Sequence, residues 1–159
     1  MKTKITYIVA IFILISCSGP AVLAPDGSEI SSETNTIIIK SDNNDAWQLV
    51  GKKLANMGYS IKETNKDFGT INTGWKEAPG KALQAATDLK INFVVDGDDI
   101  RITGKTRAGV SLSNYDSGES EIQAKGQKGS QMRLAWQEMY RVAKELNKAL
   151  DGSMAFETR

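Results

Sequence analysis

The feature that most restricts the fold is an alternating pattern over residues 83–112. Apolar or small side chains occupy every second position on both sides of the polar segment Asp96-Gly97-Asp98-Asp99. A two-residue turn within that segment would pair Val95 with Ile100 and place the whole set on one face. The set comprises Leu83, Ala85, Thr87, Leu89, Ile91, Phe93, Val95, Ile100, Ile102, Gly104, Thr106, Ala108, Val110 and Leu112. The pattern therefore predicts a long β-hairpin with one buried face.

The other face of this hairpin is polar and mostly basic. We expect it to be solvated, because its side chains alternate with the apolar set. Most simply it is an ordinary wet sheet surface. Alternatively, Lys90, Arg101 and Lys105 form part of a surface that recognises a protein or peptidoglycan partner. The face carries Lys81, Lys90, Asn92, Arg101, Thr103, Lys105 and Arg107.

The remaining elements follow from shorter patterns. A β-branched run predicts a strand over 36–40, and two alternating segments predict a second hairpin over 59–75. Apolar stripes at helical spacing predict helices over 45–57 and 130–150. The element order is β-α-β-β-β-β-α.

Two amphipathic helices and a sheet with one apolar face bury their apolar surfaces most simply by packing against each other. The sequence therefore predicts an α+β fold: a two-layer sandwich with an antiparallel sheet of about five strands and both helices on one face. The domain is expected over residues 36–152. We expect a mobile loop over 114–129 and a frayed tail over 153–159, since neither has a sustained pattern.

The N-terminus has the layout of a secretory signal. Lys2 and Lys4 precede an apolar run from Ile5 to Ile15, and Leu14-Ile15-Ser16-Cys17 closes the segment. This tetrapeptide resembles a bacterial lipobox. It predicts a signal peptide over residues 1–16, cleavage between Ser16 and Cys17, and a diacylglycerol and fatty acyl anchor on Cys17. Ser18 in the next position favours the outer membrane.

Two other interpretations of this segment are weaker. A membrane-spanning helix needs about 20 apolar residues, which is more than the run from Ile5 to Ile15 provides. Plain secretion would leave Cys17 as an unpaired thiol in an oxidising compartment. Residues 17–35 are rich in Pro, Gly and Ser, so we expect them to form a flexible tether between the anchor and the domain.

Composition excludes several classes of function. The chain contains no histidine, so the usual general base and the commonest metal ligand are missing, and its one cysteine cannot form a zinc site alone. Without the two lysines of residues 1–16, 18 basic residues stand against 19 acidic ones. Such a balance disfavours a nucleic-acid partner. No catalytic or phosphate-binding motif is present, so we expect a protein that is not an enzyme and holds no metal or cofactor.

One stretch resembles a known family. Ala46-Trp47-x-x-Val50-Gly51-x-x-Leu54-x-x-x-Gly58-Tyr59-x-Ile61, followed by Lys66-Asp67-x-Gly69-Thr70-Ile71 and Trp75, is similar to the repeated domain of BamC (NlpB) lipoproteins. The resemblance spans residues 36–112 and implies a helix-grip, TATA-binding-protein-like sandwich. It also implies a non-enzymatic accessory of outer-membrane β-barrel assembly. BamC proteins have two such domains, whereas this chain has one.

The three tryptophans leave two hypotheses open. Trp47, Trp75 and Trp136 are most simply core or core-edge residues. They could instead line a groove between the last helix and the sheet that carries a lipid or another small hydrophobic ligand. The preferred prediction is a periplasm-facing outer-membrane lipoprotein that is bound to the membrane by its lipid and acts as an adaptor for an envelope protein. The carrier is the alternative.

Overall fold

A computed structural model describes residues 22–24, 27–80, 86–108 and 118–159. Signal residues 1–16, the predicted lipid site at Cys17 and the outer ends of the long hairpin lie outside this range. The elements in chain order are β1 (Val22–Leu23), β2 (Glu29–Ile30), β3 (Thr36–Lys40), α1 (Ala46–Asn56), β4 (Ile61–Asn65), β5 (Thr70–Thr73), β6 (Lys76–Glu77), β7 (Thr87–Asp96), β8 (Asp99–Ala108), β9 (Ser120–Glu121), α2 (Gln131–Leu150) and β10 (Ser153–Glu157).

The main sheet is antiparallel and follows the order β10-β3-β8-β7-β5-β4. Short β6 pairs with β7, and short β9 pairs with β8. The predicted α+β class with two helices and an antiparallel sheet is confirmed. The sheet has eight strands rather than about five, because β6, β9 and β10 add to the predicted set.

The long hairpin has the register that its alternation predicted. Val95 pairs with Ile100 and Phe93 with Ile102, on either side of a turn in which Gly97 has φ 57°. Glycine adopts this left-handed conformation without the steric cost that a Cβ atom imposes. Leu89 and Ile91, which belong to the same alternating set, are fully buried.

Both helices pack on this inner face. The apolar stripe of α1 buries Ala46, Val50 and Leu54, and the apolar stripe of the longer helix α2 buries more residues. All of them belong to one apolar cluster with the inward side chains of the sheet. From α2, the buried apolar residues are Ala135, Trp136, Met139, Val142, Ala143, Leu146 and Leu150.

The prediction of a frayed tail is wrong. Residues Ser153–Glu157 form β10, which pairs along its whole length with β3. Asp151 has φ 50°, and a Cβ atom at Gly152 would lie 2.7 Å from the carbonyl oxygen of Lys40. The chain therefore turns back tightly after α2 and returns as an edge strand.

Two segments expected to be loose also carry ordered structure. Within the predicted tether, β1 pairs with β2, and Val22 and Ile30 are 9% and 5% exposed in the core cluster. Within the predicted loop, β9 lines up beside β8, and Ile122 and Ala124 are buried. Both segments contribute apolar side chains to the common core, which offsets the entropy lost on ordering them.

Gly104 tests this packing. A Cβ atom there would lie 2.8 Å from Cδ1 of Ile122, 3.0 Å from the carbonyl oxygen of Lys90 and 3.2 Å from Sδ of Met139. We expect Gly104→Ala to lower the free energy of unfolding by about 1–3 kcal/mol, as overpacking does in cores. Urea unfolding of the chain from residue 17 onward measures this.

Gly118→Ala is the matched control, because no atom of the described residues beyond its chain neighbours lies within 4 Å of the added Cβ atom. Its unfolding free energy should stay within about 0.5 kcal/mol of the wild type. Equal stability of the two variants would contradict the close approach of β8, β9 and α2.

Candidate functional site

The outer face of the β7–β8 hairpin carries a cluster of charged side chains around one tryptophan. Trp75 lies in the connection between β5 and β6 and is half-buried. Lys90 Nζ lies 4.7 Å, and Arg107 Cζ 4.2 Å, from the centroid of its ring. Both distances are within the range of cation–π attraction. Since Lys90 alternates with the buried Leu89 and Ile91, this cluster lies on the side of the sheet opposite the core.

Two carboxylates neutralise most of the positive charge. Glu119 accepts hydrogen bonds from Lys90 Nζ at 3.1 Å to both of its oxygens and lies 3.4 Å from Lys105 Nζ. Asp88 Oδ2 lies 3.4 Å from Arg107 Nε. The cluster therefore contains three cations, two of them against the indole, and two carboxylates that pair with the cations. We name Trp75, Asp88, Lys90, Lys105, Arg107 and Glu119 the Trp75 patch.

The structure brings together only part of the predicted surface. Lys90, Lys105 and Trp75 lie in one patch. Arg101 shares their face, but it pairs with Asp99 at 3.9 Å and lies four residues from Lys105 along β8. Four residues of strand span roughly 13 Å, so Arg101 lies outside the patch.

The other two tryptophans are not part of this surface. Trp136 is 0% exposed and packs in the core, so its assignment to a partner or ligand surface is wrong. Trp47 is half-buried on α1, which packs on the inner face. Within the described part of the chain, neither indole N–H has a hydrogen-bond acceptor. Apolar packing therefore holds both rings.

Three residues of the patch were missed as site residues. Asp88 lies two residues before Lys90 in β7 and therefore on the same face of the strand, so it could have been predicted from its sequence position alone. Arg107 was assigned to the wet face but not to a site. Glu119 reaches the patch because β9 returns beside β8, and only the buried alternation of Ile122 and Ala124 hinted at that return.

A second cluster of ionisable groups is centred on Glu138 of α2, whose side chain is buried. The phenol of Tyr59 donates to Oε1 of Glu138 at 2.7 Å, and Arg141 donates to both oxygens of the same carboxylate at 2.7 Å. Lys76 Nζ lies 4.1 Å from the centroid of the Tyr59 ring and donates to the carbonyl of Met57 at 2.7 Å. The network ties α2 to the chain that follows α1.

Burial and hydrogen bonding act in opposite directions on Glu138. Burial alone would raise its pKa, but the hydrogen bonds from Arg141 and then Tyr59 outweigh burial, so the pKa lies below its ordinary value. Burial, followed by the adjacent carboxylate, raises the pKa of Tyr59 far above its ordinary value. The hydrogen bond to Glu138 raises the pKa of Arg141. Each group keeps its ordinary charge at neutral pH, so this network is a structural tie.

Two open clefts are lined by residues that the structure describes. One is acidic and lies at the end of the sheet that holds the Gly97 turn; the other lies between the β1–β2 hairpin and β10. Among the described residues, no group of three or more acidic or cysteine side chains is arranged to hold a metal ion. No described helix is long and apolar enough to cross a membrane. The acidic cleft is lined by Lys40, Ser41, Asp42, Asp98, Asp99, Asp151, Gly152 and Ser153. The second is lined by Ala24, Ser28, Asn147, Ser153, Met154, Ala155 and Phe156.

Comparison with known proteins finds likeness in structure but not in sequence. No family model matches the chain, and no curated protein is similar to it in sequence. A TBP-like protein from Parabacteroides distasonis superposes with a TM-score of 0.44 at 10% identity, over 77% of this chain and 93% of the other.

The Glu138 network predicts acid sensitivity. The pKa of Glu138 is lower in the folded than in the unfolded chain. The carboxylate therefore contributes its full stabilisation above the ordinary carboxyl pKa. This contribution to the unfolding free energy is lost as the pH falls through the pKa of the folded chain. We expect Glu138→Gln to lower the unfolding free energy at pH 7 by about 1–3 kcal/mol. The deficit should shrink as the pH is lowered below 4 in urea titrations. A deficit that is independent of pH would contradict this role.

The Trp75 patch makes a prediction about Glu119. Its pKa lies below the ordinary value, first because of the hydrogen bond from Lys90 and to a lesser extent because of Lys105. We expect Lys90→Gln to raise the Glu119 pKa more than Lys105→Gln does. Carboxyl carbon chemical shifts followed through a pH titration give both values. The opposite order, or no change in either variant, would contradict the contacts of the patch.

Proposed function

We propose that this chain is a non-enzymatic lipoprotein of the bacterial envelope that acts as an adaptor at the outer membrane. The observation that carries the proposal is the segment Leu14-Ile15-Ser16-Cys17 after a basic start and an apolar run. A signal peptidase removes such a leader, and acyl chains on the cysteine then hold the mature protein at a bilayer. Ser18 supports the outer membrane, with the domain facing the periplasm.

The polar groups of the domain support an adaptor rather than an enzyme. Among the described residues, the buried groups of Tyr59 and Glu138 are hydrogen-bonded to each other, and Glu138 also to the exposed Arg141, and each of the three keeps its ordinary charge state at neutral pH. A general acid or base would need a pKa near the working pH and access to substrate. Glu138 has neither, since its pKa is lowered and its side chain is only 2% exposed.

The Trp75 patch is the surface that best suits a partner. It combines a half-buried indole with arginine and lysine side chains on a solvated sheet face. Tryptophan and arginine are enriched at the centres of protein interfaces. Within the chain, Lys90 and Lys105 are paired with Glu119. A carboxylate of a partner protein could replace Glu119 in these ion pairs. A role in outer-membrane protein assembly, which the BamC resemblance implies, is part of this proposal.

The carrier alternative receives less support. A carrier of a lipid needs a cavity of about 300 Å³ or more between the last helix and the sheet. In the described structure that space holds the fully buried side chains of Trp136, Met139 and Leu146 against Ile91 and Ile102. A filled layer of this kind favours the adaptor.

Mass spectrometry of the intact protein from membranes tests the anchor. We expect a chain that starts at Cys17 and carries a diacylglycerol and a fatty acyl group. The substitution Cys17→Ser should abolish both the acyl mass and processing at this position. A native chain that keeps its leader, or that has a free thiol at Cys17 and lies in the soluble fraction, would contradict the proposal.

Cross-linking in intact cells tests the adaptor role. A photoreactive residue at Thr103, on the outer face next to the patch, should form a reproducible adduct with one envelope protein. Lys105→Glu should weaken that adduct, because it reverses one charge of the patch. Lys52→Glu, the same change on the exposed side of α1, is the control. Equal yields for both variants would contradict the assignment of the surface.

A further inference from the structure

The folded body begins unexpectedly close to the predicted lipid site. Val22 is 9% exposed and belongs to the core, and its register partner Ile30 is 5% exposed. The turn between them is closed by hydrogen bonds from Ala24 N to Ser28 O at 2.8 Å and from Gly27 N to Ala24 O at 2.9 Å. The hairpin is thus part of the domain, and only residues 18–21 separate it from Cys17.

Covalent geometry limits how far the domain can stand from the bilayer. Five residue steps from Cys17 to Val22 span at most roughly 18 Å when fully extended. Acyl chains on Cys17 lie in the hydrocarbon, so the chain must first cross a headgroup layer of about 5–7 Å. The hairpin therefore stays within about 12 Å of the headgroup surface.

The β1–β2 hairpin exposes one apolar side chain, Leu23, at the part of the domain that the tether holds near the bilayer. Leu23 alternates with the buried Val22 and is 54% exposed. Glu29 lies opposite Leu23 on the same face, so the surface has no preference for anionic lipid. We infer that the β1–β2 hairpin contacts the phospholipid surface through Leu23 and sets the orientation of the domain on the membrane. This inference rests on the proposed acylation of Cys17.

The position of the hairpin fixes which edge of the sheet faces the bilayer. Ala24 and Ser28 line a cleft with Met154 and Phe156 of β10, the strand at one edge of the main sheet. The Trp75 patch is centred on β7, β8 and β9, and β3 and β8 separate β10 from β7. At about 4.8 Å per strand, β7 lies roughly 14 Å from the membrane-side edge. The patch therefore stays open to a partner while the domain rests on lipid.

A lipid occupant is favoured over a second protein by the tether itself. An anchored domain meets the bilayer at a high effective concentration, so a weak contact is enough to select one orientation. A single exposed leucine beside a carboxylate is a weak contact of this kind. A free protein partner would need a larger apolar surface to bind stably.

Hydrogen exchange with a chemically defined anchor tests the inference. The chain from residue 17 onward is coupled through its single thiol at Cys17 to a maleimide phospholipid in phosphatidylcholine vesicles. The comparison sample has the thiol capped and is mixed with the same vesicles. We expect amide exchange in residues 22–24 and 28–30 to slow several-fold on tethering, with no change at Lys66–Gly69. Adding phosphatidylglycerol should not increase the effect.

Matched variants identify the contact. Leu23→Ser should remove most of the slowing, whereas Phe68→Ser should leave it unchanged, although Phe68 is 74% exposed. Inserting ten Gly and Ser residues after Gly19 should also reduce the slowing, because the effective concentration falls. Unchanged exchange at 22–30 in the tethered wild type, or equal slowing at Lys66–Gly69, would overturn the inference.

The two proposals fail separately in this design. The chemical tether replaces acylation, so the exchange result reports on the hairpin alone. Absence of acyl mass on the native protein would overturn the proposed function whatever the exchange result. Acylation with unchanged exchange would overturn only the membrane contact.

Discussion

Burial of one face of the β7–β8 hairpin beneath α2 is the constraint on which the rest of this structure depends. Fully buried side chains of the size of Ile91, Phe93 and Ile102 each contribute about 1.5–3 kcal/mol. A one-residue slip of either arm would move its whole apolar set into water. The register is therefore fixed, and with it the identity of every side chain on the outer face. The Trp75 patch exists because that outer face has to be polar.

The same constraint leaves little room for chemistry inside the domain. Apolar side chains fill the layer between α2 and the sheet, and the buried ionisable groups are bound to one another. Glu138 stabilises the position of α2 through Tyr59 and Arg141, and it carries its charge at the cost of sensitivity to acid. We therefore expect function to lie on the outer face and the edges of the domain. This is the reason that a surface adaptor fits better than a carrier.

Local pattern predicted those parts of the fold whose partners are near in sequence. Strict alternation around Gly97 specified the hairpin and its register, and helical spacing specified α1 and α2. β10 and β9 were missed because their strand partners, β3 and β8, are distant in sequence. The β1–β2 hairpin was missed because its two-residue strands are too short to show a pattern, and its apolar residues Val22 and Ile30 are buried in a core formed mostly by distant elements. The Trp75 patch was half-predicted for the same reason. The positions of Lys90 and Lys105 follow from the alternation of the hairpin, whereas Glu119 lies on a segment whose pairing with β8 is indicated only by the two alternating apolar residues Ile122 and Ala124.

Burial of Val22 close to the predicted anchor, together with the proposed acylation of Cys17, leads us to propose that one edge of the domain rests on lipid while its outer face stays free. Neutron reflectometry of the acylated protein on a supported bilayer tests this arrangement most directly. The account predicts a single protein layer whose density begins at the headgroups without an intervening layer of water. A hydrated gap of roughly 20 Å between bilayer and domain, as a flexible chain over residues 17–35 would produce, would contradict it.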